Sequence, residues 1–138
     1  MTEIDFYLIQ SSRPDGRLVM VCRLAAKAYG LGHRIHIHTA GPPQSEQLDD
    51  LLWTFQDGSF VPHEIGNDPG TPVTINHAHT PEGECDVLIN LAADVPAFFS
   101  RFLRVAEVLD EGTRETGRER YRFYRDRGYA LRHHELKL

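Results

Sequence analysis

Asp86-Val87-Leu88-Ile89-Asn90-Leu91 decides the reading of this chain. The run is too short for a helix, and its apolar residues fall on both sides of an extended backbone. Such a strand is buried on both faces, as in a parallel sheet covered by helices. Ile4-Asp5-Phe6-Tyr7-Leu8-Ile9 reads the same way, as a first and central strand. After it, Ser11-Ser12-Arg13-Pro14-Asp15-Gly16 is a turn cluster that can cap a helix. From Arg17 to Tyr29 the apolar positions Leu18, Val21, Cys22, Ala25, Ala28 and Tyr29 form one helical face, stopped by Gly30-Leu31-Gly32.

Working on along the chain, His33 to His38 alternates around Ile35 and Ile37 as a second strand would. Gly41-Pro42-Pro43-Gln44-Ser45 reads as a break, followed by a short helix through Leu48, Leu51, Leu52 and Trp53. Asp57-Gly58 opens a loop, and Val73-Thr74-Ile75 reads as a short strand. Pro96 is expected to open a helix with Phe99, Phe102, Leu103 and Ala106 on one face. A last helix is expected from about Thr113 to Arg127, ended by Gly128. Strand–helix alternation with long crossovers predicts an α/β, Rossmann-like fold: a mostly parallel sheet with helices on both faces. No internal repeat or linker interrupts residues 1–138, which read as a single domain.

Composition narrows the function classes. The 138 residues are 41% hydrophobic and 25% charged, with no apolar stretch of the roughly 20 residues a membrane helix needs. Met1-Thr2-Glu3-Ile4-Asp5 lacks the basic and apolar regions of a signal peptide, so a cytoplasmic protein is expected. Two cysteines, Cys22 and Cys85, are too few for a disulfide framework and read as buried thiols. Residues 1–100 carry five Lys/Arg against thirteen Asp/Glu, whereas residues 101–138 carry ten against seven. An acidic body with a basic end suggests a partner that docks at that end.

The turn from Gln10 to Gly16 holds neither GxGxxG nor GxxxxGK[ST], so the sheet has no phosphate-binding loop and no cofactor is expected. Nothing resembles a nucleophile elbow or a kinase signature. His36 with His38 and His77 with His79 form two HxH pairs. With Asp86 or Asp94 they could make the zinc site of a small metal-dependent hydrolase. The plainer reading takes them as unrelated polar residues at strand edges and in loops, and treats His63, His133 and His134 as surface or loop residues.

The C-terminal helix is the most informative segment. Arg114, Arg118, Tyr121, Arg122 and Arg125 are spaced so that all five lie on one side of it, with Arg120, Tyr124 and Arg127 alongside and Phe123 turned inward. Arginine forks suit carboxylate or phosphate, and their planes stack on tyrosine. Either a solvated face balanced by Glu115, Glu119 and Asp126, a single nucleic-acid strand, or an acidic peptide with a free C-terminus fits the stripe. The acidic body would repel a long polyanion, which favours the peptide and leaves little direct nucleic-acid binding expected. Trp53, Phe55, Phe60 and Val61 form a second, apolar feature, which either closes the core or offers Trp53 and Phe60 as a hot-spot pair.

These residues together resemble the chi subunit family of bacterial DNA polymerase III, nearly end to end. The likeness runs through Phe6-Tyr7-Leu8, Leu51-Leu52-Trp53, Ser59-Phe60-Val61-Pro62-His63, Asp86 to Leu91, and Arg118-Glu119-Arg120-Tyr121-Arg122-Phe123-Tyr124-Arg125. The resemblance implies a non-catalytic accessory subunit of the clamp-loader complex. Such a subunit binds the acidic, phenylalanine-terminated tail of single-stranded DNA-binding protein and joins it to the replication machinery. It implies tail-binding roles for Arg118, Tyr121, Arg122 and Arg125, with Arg114 one turn earlier. It also implies contact with the psi subunit, or another protein partner, through Trp53 and Phe60. Two departures stand out. Arg122 occupies a position usually filled by lysine, and the segment between Leu109 and Arg114 is shorter than in the best-known members, so the resemblance does not fix the apolar edge of the peptide site.

Overall fold

The computed structural model describes residues 1–83 and 86–138. Seven strands form one sheet in the order β3-β4-β2-β5-β6-β1-β7, and every pairing is parallel. The strands are β1 (Glu3–Gln10), β2 (Ile35–His38), β3 (His63–Ile65), β4 (Val73–Asn76), β5 (Val87–Asn90), β6 (Arg104–Leu109) and β7 (Leu131–Lys137). The helices are α1 (Gly16–Gly30), α2 (Pro42–Thr54) and α3 (Arg114–Asp126). Gly32 and Gly128, with φ of 86° and 80°, take the left-handed turns that end α1 and α3.

Each face of the sheet is sealed by its own helices. On one, Ile35, Ile37, Ile75 and Ile89 pack with Val21 and Ala25 of α1 and with Leu48 and Leu52 of α2. On the other, Ile4, Phe6, Leu88 and Val105 pack with Phe99, Phe102 and Tyr124. Each such fully buried side chain stabilises the fold by about 1.5–3 kcal/mol. Cys22 lies in the first of these cores, where burial pushes its thiol up to about 12. Cys85 lies outside the described residues.

Five local expectations need correction. The strand in the middle of the sheet is β5; β1 lies one place in from the β7 edge. α2 starts at Pro42, not after the proline pair, because the first helical positions need no backbone donor. No α-helix follows Pro96: a 3-10 turn, Phe99–Arg101, leads into β6, whose Val105 to Leu109 are all buried. His63 opens β3 with its side chain wholly covered. Finally, His133 and His134 do lie at the surface, but in a strand and not a loop: they belong to β7, an edge strand in register with β1.

Candidate functional site

α3 divides the arginine-rich sequence into two populations. Its inward line is Gly117, Arg120 and Tyr124, all buried. Arg120 and Tyr124 therefore do not lie alongside the exposed stripe. Arg120 Nε donates to Glu107 Oε1 at 2.8 Å, and Tyr124 Oη donates to Glu107 Oε2 at 2.8 Å. Asn90 Nδ2 donates to the same Oε2 at 2.9 Å, while Arg120 Nη1 donates to Ala93 O at 2.8 Å. A buried carboxylate holding three donors is fully satisfied, so α3 is locked to the sheet by charge as well as by rings. Burial, and then the Glu107 charge, push the Tyr124 hydroxyl up, keeping it a donor. Glu107 went unremarked in the sequence because nothing local marks a mid-strand glutamate as buried.

Outside that line, a groove of about 260 Å³ runs between α3 and β7. Phe6, Leu8 and Leu109 make its apolar floor, and Arg114, Arg118 and Tyr121 its α3 wall. His133, His134 and Glu135 of β7 form the opposite wall. Gly117 lets the helix come down on Leu109: a Cβ there would stand 2.4 Å from Leu109 Cδ1. Tyr121 packs edge-on to Phe6 at 5.5 Å and tilted to His133 at 5.1 Å. Three of the five stripe residues thus meet at the groove. Arg122 and Arg125 do not line it; they are exposed further round the helix. Among the described residues the guanidiniums of Arg114 and Arg118 pair only with exposed Glu111 (3.4 Å) and Glu115 (2.8 Å) one turn away. Exposed pairs of this kind contribute about 0–1 kcal/mol, so an incoming carboxylate can exchange for them.

Trp53 and Phe60 stand at the far edge of the sheet, 53% and 64% exposed, with ring centroids 5.7 Å apart. They do not close the core; Val61 beside them does. Behind Trp53, the His63 ring sits at 4.5 Å, with its nitrogens 2.6 Å from Val61 O and 3.0 Å from Asp49 O.

His38 of one HxH pair and His77 of the other line one crevice, whereas His36 lies apart from it. His36 is fully buried, with Nδ1 2.7 Å from Thr74 Oγ1. Burial is the main cause that lowers its pKa to about 3 and also lowers that of His38. Asp86 lies at the amino ends of the strands, accepting from Arg34 N and pairing with His33. Among the described residues no group of three or more His, Cys, Asp or Glu comes together to hold a metal. No helix among them is long and apolar enough to cross a membrane.

Comparison with known proteins identifies the family and agrees with the sheet. The family model described as "DNA polymerase III chi subunit, HolC" matches residues 1–132. A Pseudomonas aeruginosa protein named DNA polymerase III subunit chi is 40% identical, over 99% of this chain and 98% of its own length. The Escherichia coli K12 protein of the same name is 31% identical, over 95% and 96%. The crystal structure of T4 UvsW shares the fold alone: TM-score 0.70 at 10% identity, covering 99% of this chain and 42% of that one. A family match over residues 1–132, with a relative 40% identical over nearly the whole of both chains, places this chain in the DNA polymerase III chi subunit family.

Proposed function

We propose that this chain is a non-catalytic, cytoplasmic accessory subunit of DNA polymerase III. In this reading it binds the acidic, phenylalanine-terminated tail of single-stranded DNA-binding protein in the groove between α3 and β7. It then links that protein to the clamp loader through psi, or another partner, at Trp53 and Phe60. One observation carries the reading: an apolar floor of Phe6, Leu8 and Leu109 lies directly beneath two exposed guanidiniums, Arg114 and Arg118. A terminal aromatic ring suits the floor, and its carboxylate suits the forked donors on the wall. The preceding acidic residues then face Arg122 and Arg125, which widen the positive surface without entering the groove.

A fluorescence-polarisation titration with a labelled acidic peptide ending in Pro-Phe tests it, with the amidated peptide as control. The expected affinity is about micromolar, roughly −8 kcal/mol, for one anchoring ring and a few exposed charge pairs. Binding should weaken with salt and be lost on amidation. Arg118→Ala, at the groove, should cost more than Arg122→Ala, outside it. Equal affinity for free and amidated peptide, or no loss in Arg118→Ala, would refute the groove assignment.

A further inference from the structure

A second crevice, sharing no lining residue with the tail groove, opens at the carboxyl ends of β2, β4 and β5. Its position follows from the topology. β2 and β5 are neighbours, but the chain leaving β2 goes through α2 to β3 on one side of the sheet order. The chain leaving β5 goes to β6 on the other side. α2 packs on one face of the sheet, and Phe99 and Phe102 after β5 pack on the opposite face. Divergent connections from adjacent parallel strands leave a gap, the place where open α/β sheets hold their ligands.

The gap has the size and lining of a binding site. Its volume is about 510 Å³, within the range of small-molecule sites. Ala40, Ala78, Ala92, Ala93 and Ala97 line it, and their short side chains leave the space open. His38 lines it while only 8% exposed, and among the described residues neither its Nδ1 nor the buried Nδ1 of His77 has a hydrogen-bond partner. A buried polar atom left without a partner costs about 1–3 kcal/mol and calls for an explanation. Ala78 adds another cost at the rim, with φ of 58° in a region L-residues seldom occupy. Phe98, half-buried, lies against His38 with ring centroids 5.4 Å apart.

The charges choose the ligand. Among the lining residues there is no lysine or arginine, and the one formal charge is the Asp94 carboxylate. Burial lowers the His38 pKa, so that ring supplies no cation near neutral pH. A phosphate would meet that carboxylate, while the Arg120 guanidinium beyond Ala93 O is already neutralised by Glu107. An uncharged heterocycle fits: a π-face for Phe98, ring edges that match imidazoles able to donate or accept, and sugar hydroxyls for a carboxylate. We propose that this crevice binds an uncharged ribonucleoside, its base against Phe98 and the imidazoles of His38 and His77, its ribose hydroxyls at Asp94.

The test is an amide-resolved NMR titration of the full chain with adenosine, guanosine, cytidine and uridine, each to about 5 mM, enough to read a Kd near 1 mM. At least one should give saturable shifts confined to residues 38–40, 77–80 and 92–98. Its 5′-monophosphate should bind about tenfold more weakly or worse. Ala92→Leu, which fills the gap, should abolish the shifts while leaving tail-peptide affinity unchanged; His77→Ala, with the alanine-lined wall intact, should weaken them. The proposal is overturned if no ribonucleoside shifts the crevice, if shifts persist in folded Ala92→Leu, or if the monophosphate or a single-stranded oligonucleotide binds more tightly than the nucleoside.

Discussion

Between pH 7.5 and pH 5.0 the fold should lose about 2 kcal/mol through one side chain, His36. Its ring is 0% exposed, packed edge-on to Phe98 with centroids 6.0 Å apart, and its Nε2 has no partner among the described residues. Burial first, then the neighbouring His38 and Arg34, lower its pKa from 6.5 to about 3. The folded chain therefore keeps this imidazole neutral at pH 5.0, whereas the unfolded chain protonates it. Stability from His36 is whole above pH 6.5, falls as the pH drops towards 3, and changes no further below that. At pH 5.0 the 1.5 units below the unfolded pKa correspond to about 2 kcal/mol, at 1.36 kcal/mol per unit. His38, whose pKa is also lowered, acts in the same direction. Urea unfolding at pH 7.5, 6.5 and 5.0 measures the loss in the unmodified chain and in His36→Leu. Leucine cannot titrate, so whatever the substitution does to absolute stability, the pH-dependent loss should shrink by about 2 kcal/mol. An equal loss in both proteins would refute the reasoning.

Three further predictions concern α3 and the exposed aromatic pair. Glu107→Gln leaves the Arg120 guanidinium, only 3% exposed, without its counter-charge and should cost about 3–5 kcal/mol in urea unfolding. Adding Arg120→Met to Glu107→Gln removes the unpaired charge while the amide oxygen still accepts from Tyr124 and Asn90, so most of that loss should be recovered; no recovery would show that the cost lies elsewhere. Gly117→Ala brings a methyl within 2.4 Å of Leu109 Cδ1, so the leucine must move and the groove must change shape. The helix gains up to about 1 kcal/mol of intrinsic propensity, yet tail-peptide affinity in the polarisation assay should fall about tenfold. Unchanged affinity would mean that Leu109 is not part of the binding floor. Trp53→Ala removes a half-exposed ring and should change stability by less than about 1 kcal/mol while abolishing capture of purified psi. A large drop in Tm would instead make Trp53 a structural residue.

What was legible in the sequence was what local periodicity records. α1 declared itself through Leu18, Val21, Cys22 and Ala25, and β5 through its unbroken apolar run. The segment after Pro96 misled for a physical reason. Phe99 opens a 3-10 turn and Phe102 follows its end, three residues on, a spacing that imitates a helical stripe. The strand that follows is buried on both faces, so it shows no alternation to betray it. β7 was hidden by the opposite cause. Leu131–Lys137 is charged and half-exposed because it forms a sheet edge, and only its pairing with β1, far away along the chain, makes it a strand.

The candidate site divides along the same line. The arginine stripe was visible because helical spacing is local, but its depth was not. The floor under Arg114 and Arg118 comes from Phe6 and Leu8, more than a hundred residues earlier, and the far wall from the unseen β7. Arg120 is the sharpest case, since charge alone predicts that it faces water with its neighbours. Gly117 and Tyr124, three before it and four after, define the line that α3 lays on the sheet, and a glycine in mid-helix marks where a helix approaches closely. That pattern assigns Arg120 to the buried side, where a guanidinium needs a carboxylate in reach. Only the parallel register of β5 and β6 delivers one, by setting Asn90 opposite Glu107 beneath the helix. The same residues that prevent Arg120 from reaching solvent fix the azimuth of α3, and so determine which arginines overlook the groove.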